Sequence, residues 1–159
     1  MEDICSDNGE VVFNYRVAII IRNKSKILVQ KDDRVSHLTL PGGRCKLNES
    51  SVSAGIREFV EETALSVEYV KSIGVIENFF NSKFNGKNYH EILFIHELKL
   101  VDELKYNETI LKNVEDNKKE HISYIWKSID ELKESDFKPN VVLSILNNND
   151  FVHLINKEY

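Results

Sequence analysis

Two long β-rich runs joined through an Asn-Gly tip constrain this chain more than any other feature. Residues 67–80 and 89–100 are rich in β-branched and aromatic side chains, and Asn85-Gly86 lies in the polar stretch between them. Asn-Gly suits a tight turn because both residues tolerate positive φ, so the spacing predicts a long hairpin. Gly74 marks a bend or bulge in its first strand. Further strands are expected at residues 11–21, 26–31 and 122–126. The first two are read as an opening hairpin about Asn23-Lys24-Ser25. Residues 37–40 are extended because Pro41 disfavours the helical region before it. Residues 50–63 read as a helix capped by Ser50 or Ser51, with Val52, Ile56, Phe59 and Val60 on its apolar face. Short helices are expected at 129–133 and 140–146, an acid-rich loop at 102–120 with a partial turn around Ile110-Leu111, and a loosely ordered lead-in at 1–10. Strands of hairpin and crossover type with helices between them give a mixed α/β class.

The 159 residues suit one domain spanning 1–159, large enough to bury a core without disulfides. The net charge of −5 argues against duplex nucleic acid as a partner, which needs a basic face. It leaves open small anionic ligands neutralised by something other than protein cations. Two cysteines, Cys5 and Cys45, form no CxxC pair and make no disulfide framework. The acidic start lacks a signal-peptide pattern. The longest apolar run, residues 17–21, is too short to span a bilayer, so no membrane association is expected. A cytoplasmic protein is the expectation.

The chemistry concentrates in residues 43–65. At about 100° per residue, Glu58, Glu61 and Glu62 share one arc of the helix, away from the apolar face. Like charges at this spacing weaken a helix, and the dipole disfavours them near its C-terminal end. A hard divalent cation would reward the arrangement, since Mg²⁺ and Mn²⁺ take carboxylate, carbonyl and water oxygens. A solvated acidic face is the competing explanation from the spacing alone.

Around the helix stand Gly43, Glu49, Arg57-Glu58 and Glu61-Glu62, followed by Thr63, Ala64 and Leu65. This pattern resembles the box of the Nudix hydrolase (MutT-like) family: Gly, five residues, Glu, seven residues, Arg-Glu, two residues, Glu-Glu, one residue, Gly. Ala64 stands where the family has glycine, which bears on the turn ending the helix and not on the carboxylates. Leu38 to Gly43 resembles the family's lead-in to the box, residues 13–30 its opening hairpin, and Trp126 to Leu132 its C-terminal element. The resemblance implies an α/β/α sandwich with a mixed sheet.

It further implies water attack on a pyrophosphate in a nucleoside diphosphate linked to another moiety, with Mg²⁺ or Mn²⁺ as cofactor. Glu58, Glu61 and Glu62 match the metal ligands, and the Gly42 carbonyl is a further one. Arg57 would orient Glu58 or Glu49. Glu49 either binds the site's ligands or anchors its loop, with anchoring favoured. Arg44 is a candidate for a substrate phosphate. The general base is Glu58 or a distant acid, for which Glu115, Asp116 and Glu120 are the candidates and Glu120 the best placed. Tyr89, Phe79, Phe80 and Phe84 are candidates for stacking a base, with core packing the commoner fate of Phe79 and Phe80. The only prolines are Pro41 and Pro139, so the proline that marks some ADP-sugar-specific relatives is absent. The partner is a small molecule, and a homodimer is possible, as in many relatives. The alternative is a catalytically weak sensor module of the same fold, which keeps binding and loses turnover.

Overall fold

The computed structural model describes residues 1–115 and 119–159. In chain order the elements are β1 (Cys5–Asp7), β2 (Val11–Ile20), β3 (Arg22–Asn23), β4 (Lys26–Asp32), β5 (Leu38–Thr39), β6 (Gly42–Arg44), α1 (Ser51–Thr63), β7 (Val67–Asn81) and β8 (Asn88–Leu100). There follow β9 (Ile110–Lys112), β10 (Ile122–Ser128), α2 (Ile129–Glu134), β11 (Phe137–Lys138) and β12 (Val152–Glu158). Among the described residues no helix is long and apolar enough to cross a membrane.

The strands make two mixed sheets. The first runs β1-β2-β8-β7-β12, with β6 also on β2, and the second runs β11-β5-β4-β10-β9, with β3 on β4. The expected hairpin is present: β7 and β8 pair antiparallel from Val67↔Leu100 to Asn81↔Asn88, with bulges around Tyr69 to Gly74. Gly86 has φ +69, the conformation its tip position requires.

β2 explains how two cores share one strand. Ala18 and Ile20 enter a cluster with Ile27, Val29, Ile76, Leu93, Leu132 and Val142. Ile19, with Ile21 just past the strand's end, enters a second cluster with Leu28, Phe59, Leu98 and Tyr124. A strand covered on both faces reads as a continuous apolar run, which accounts for residues 17–21.

Four expectations need correction. β2 and β4 do not form the opening hairpin. β2 pairs in parallel with β8 over ten residues, and the fold-back onto Lys26, Ile27 and Leu28 comes from residues 21–23, after β2 has ended. β2's edges are taken by β8 on one side and by β1 and β6 on the other, which leaves none for β4. Residues 1–10 are not a loose lead-in throughout: β1 pairs with β2 and Asp3 bridges to Lys46. The 102–120 loop contains a 3₁₀ turn at Glu103–Asn107 and strand β9, and residues 140–144 form a 3₁₀ turn in place of an α-helix.

The helix faces differ as well. Ser51, Ala54, Gly55, Phe59, Glu62 and Thr63 are buried, whereas Val60 is exposed. Small residues draw α1 close to β2, so close that a Cβ on Gly55 would lie 3.3 Å from Val17 Cγ2. Ser51 Oγ shares a 2.8 Å hydrogen bond with buried His96 on β8. Shape and these pins set the helix rotation, turning Glu62 inward.

Ser50 caps α1 by accepting from Ser53 N, and Ala64 ends it in the left-handed conformation, φ 57 and ψ 18. A side chain there costs roughly 1–2 kcal/mol. Replacing Ala64 by glycine is therefore expected to raise stability by up to about 1 kcal/mol, after the extra entropy of the unfolded glycine is subtracted. Urea denaturation checks this, and a loss of stability would contradict the strained cap.

Candidate active site

The site is built outward from Arg57. Its Nε and Nη2 donate to the two carboxylate oxygens of Glu49 at 2.7 and 2.9 Å. Nη2 also reaches the Arg44 carbonyl at 3.1 Å. Nη1 donates to Glu58 Oε1 at 2.7 Å and to Glu61 Oε2 at 3.1 Å. One planar cation thus ties the loop before α1, strand β6 and two helix carboxylates together. Such a fork on a carboxylate is among the stronger hydrogen-bonded pairings available to side chains. The bonds from Arg57 hold the Glu49 carboxyl below its ordinary range. Glu49 also accepts from Lys46 N at 3.0 Å.

Two glycines shape the approach to the helix. A Cβ on Gly43 would lie 2.2 Å from the carboxyl of Glu58, and one on Gly42 would lie 2.0 Å from the Val17 carbonyl oxygen. Only glycine lets β6 lie flat on both neighbours. These contacts keep Gly42 and Gly43 beside the carboxylates on the wall of one cavity of about 530 Å³.

Glu58, Glu61, Glu62 and Glu115 line that cavity together with Arg16, Arg44, Lys46, Arg57 and Lys119. Glu61 is exposed, while Glu62 is only 5% exposed. Tyr124, fully buried on β10, donates its hydroxyl to Glu62 Oε2 at 2.7 Å. Burial pushes Glu62 up to about 7, with a further push from the charge of Glu58 and an opposing pull from the Tyr124 hydrogen bond.

The candidates named from sequence separate here. Gly42, Arg44, Arg57, Glu58, Glu61 and Glu62 line the cavity. Glu49 is not among the lining residues and sits beneath Arg57 as an anchor. Glu120 is exposed and lies outside the lining, whereas Glu115 is in it, paired with Lys119. The reason is local: Asn113 Oδ1 accepts from Glu115 N at 3.0 Å, and Val114 N donates to the Glu62 carbonyl at 2.7 Å, which pins that part of the loop to the end of α1. Asp116 falls outside the described residues. Tyr89 reaches the cavity edge, stacked on Phe80 at 5.0 Å between ring centroids. Phe79 stacks on His90, and Phe84 is exposed in the turn. Asn14, Arg16 and Lys119 were missed. The one charged residue in an otherwise uncharged strand was the available signal for Arg16.

The cavity's acids offer only hard oxygen donors, which suits Mg²⁺ or Mn²⁺ in kind. Among the described residues no three such side chains converge into a ready-made cage. Arg57 Nη1 occupies one oxygen each of Glu58 and Glu61. A cation bound beside the buried carboxyl of Glu62 would favour its ionised form and oppose the effect of burial.

The sequence matches the family model described as NUDIX domain over residues 12–144. The chain belongs to the Nudix hydrolase family. Solved structures with the same fold include an ADP-ribose pyrophosphatase from Streptococcus suis 89-1591, with a TM-score of 0.59 and 16% identity over 89% of this chain and 98% of that one. A MutT protein from Bacillus halodurans aligns with a TM-score of 0.62 and 17% identity over 90% and 89%. A UDP-X diphosphatase aligns with a TM-score of 0.60 and 18% identity over 89% and 66%.

Glu62 also predicts a pH dependence. An acid whose folded pKa is raised keeps its proton in the folded state where the unfolded chain has lost it. Its contribution to stability is then full below about pH 4.5 and is lost as pH rises through about 7. In chelator, Glu62→Gln should gain about 2 kcal/mol relative to the parent on going from pH 5 to pH 8. Denaturation curves at both pH values measure this; a pH-independent difference would contradict the upward push that burial exerts on this carboxyl.

Proposed function

We propose that the chain is a divalent-cation-dependent pyrophosphohydrolase. Its substrate is a nucleoside diphosphate linked to another group, cleaved by water attack at phosphorus in the cytoplasm. The observation that carries this reading is the meeting of Glu58, Glu61 and Glu62 on one cavity, with Arg57 tying two of them to the loop. Relatives of the same fold include proteins described as an ADP-ribose pyrophosphatase and a UDP-X diphosphatase.

Glu58, Glu61 and Glu62 would hold Mg²⁺ or Mn²⁺, with the Gly42 carbonyl as a further oxygen. The cation would act as Lewis acid, water activator and template for the diphosphate. Arg57 holds Glu58 and Glu61 at fixed positions and keeps their charges from driving the helix end apart. Tyr124 presents one oxygen of Glu62 in a set orientation. Glu58 and Glu115 are the acids positioned to take the proton of the attacking water. The basic side chains of the cavity bind the anionic substrate, which reconciles an acidic protein with an acidic ligand.

Glu61 is exposed, so its replacement by glutamine leaves the packing intact. Glu61→Gln is expected to reduce turnover of nucleoside diphosphate derivatives by at least a hundredfold with Mg²⁺ or Mn²⁺, while the melting temperature stays within a few degrees. A turnover screen beside the parent protein tests this. Near-parental turnover would remove Glu61 from the metal site. Tight nucleotide binding by the parent without turnover would replace the hydrolase reading with that of a sensor.

A further inference from the structure

Two arginines face each other across neighbouring strands at the cavity. Arg16 of β2 and Arg44 of β6 are direct partners in the antiparallel register, so their side chains leave the same face of the sheet side by side. Like charges so placed are destabilising. Neither is strongly neutralised: Arg16 Nη1 is 3.7 Å from Glu91 Oε2 and Arg44 Nη1 is 3.7 Å from Asp3 Oδ2. Their side chains are 40% and 42% exposed. Arg44 Nε donates to Asn14 Oδ1 at 3.1 Å. Among the described residues, the Nη groups of both arginines make no hydrogen bond to protein.

The supports of this pair are buried. Asn14 and Glu91 are each 4% exposed and are partners in the β2–β8 register. The row continues across the sheet, with Asn78 Nδ2 donating to Glu91 Oε1 at 3.3 Å and Asn156 Nδ2 donating to Asn78 Oδ1 at 2.8 Å. Burying such a row is unfavourable unless its members are paired, and a plain sheet has no need of it. Here it holds two guanidinium groups at the cavity with their forked donors available. That geometry matches a phosphate.

We propose that Arg16 and Arg44 form a phosphate subsite that selects substrates with a third phosphate, such as a nucleoside triphosphate or dinucleoside polyphosphate, over nucleotide sugars with a neutral sugar. The substrate assignment rests on the hydrolase reading; the anion site itself does not. Calorimetry with inorganic tripolyphosphate in chelator separates the two. Arg16→Gln and Arg44→Gln, each checked for native circular dichroism, should weaken binding at least tenfold. Lys133→Gln, the same charge change at an exposed residue outside this cavity, should stay within twofold. Parental affinity in both arginine variants, or no binding by the parent, overturns the subsite. In turnover, the preference in kcat/KM for a nucleoside triphosphate over a neutral nucleotide sugar should fall at least tenfold in Arg16→Gln, chiefly through KM. An unchanged preference overturns the selectivity. Tripolyphosphate binding through Arg16 without hydrolysis of any nucleotide would leave the subsite standing and remove the hydrolase reading.

Discussion

The guanidinium of Arg57 is the contact on which the site depends. It meets the loop through Glu49, β6 through the Arg44 carbonyl, and the helix through Glu58 and Glu61. A helix that places carboxylates close together near its C-terminal end is weakened by their repulsion and by its dipole. Arg57 offsets part of both without withdrawing the carboxylates from the cavity. Its planar fork suits this task because it addresses several acceptors from one rigid group, whereas a lysine ammonium is a single point charge.

The second requirement is close approach. β2 is covered on both faces, and α1 lies against it over Gly55 while β6 lies against it over Gly42. Gly43 then leaves room for the Glu58 carboxyl. From the other sheet, Tyr124 reaches Glu62. The carboxylates are thus held by both sheets as well as by their own helix. Packing energy from the two cores therefore supports an acidic cluster that would otherwise be unfavourable.

Much of this was legible in the residues. The 67–100 hairpin followed from β-rich runs around Asn85-Gly86, and the box residues pointed to the family and to its α/β fold. The rotation of α1 was not legible, because Ala54 and Gly55 carry little hydrophobicity and act through shape. Placing Val60 in the core and Glu62 on the arc away from it followed from counting apolar side chains. The pairing of β2 with β8, distant in sequence, and the late strand β12 depend on tertiary contacts that local patterning does not encode. Glu115 lines the cavity and Glu120 does not, because Asn113 and Val114 dock that loop on the helix end. The Arg16–Arg44 pair appears only once the β2–β6 register is known.

The most direct test of the account is divalent-cation-dependent turnover in Arg57→Lys. The variant keeps the charge and loses the fork, so the loop and the two helix carboxylates should no longer be held together. The account predicts a loss of turnover of at least a hundredfold in a variant that retains native circular dichroism. Turnover close to that of the parent would contradict the claim that one guanidinium assembles the site.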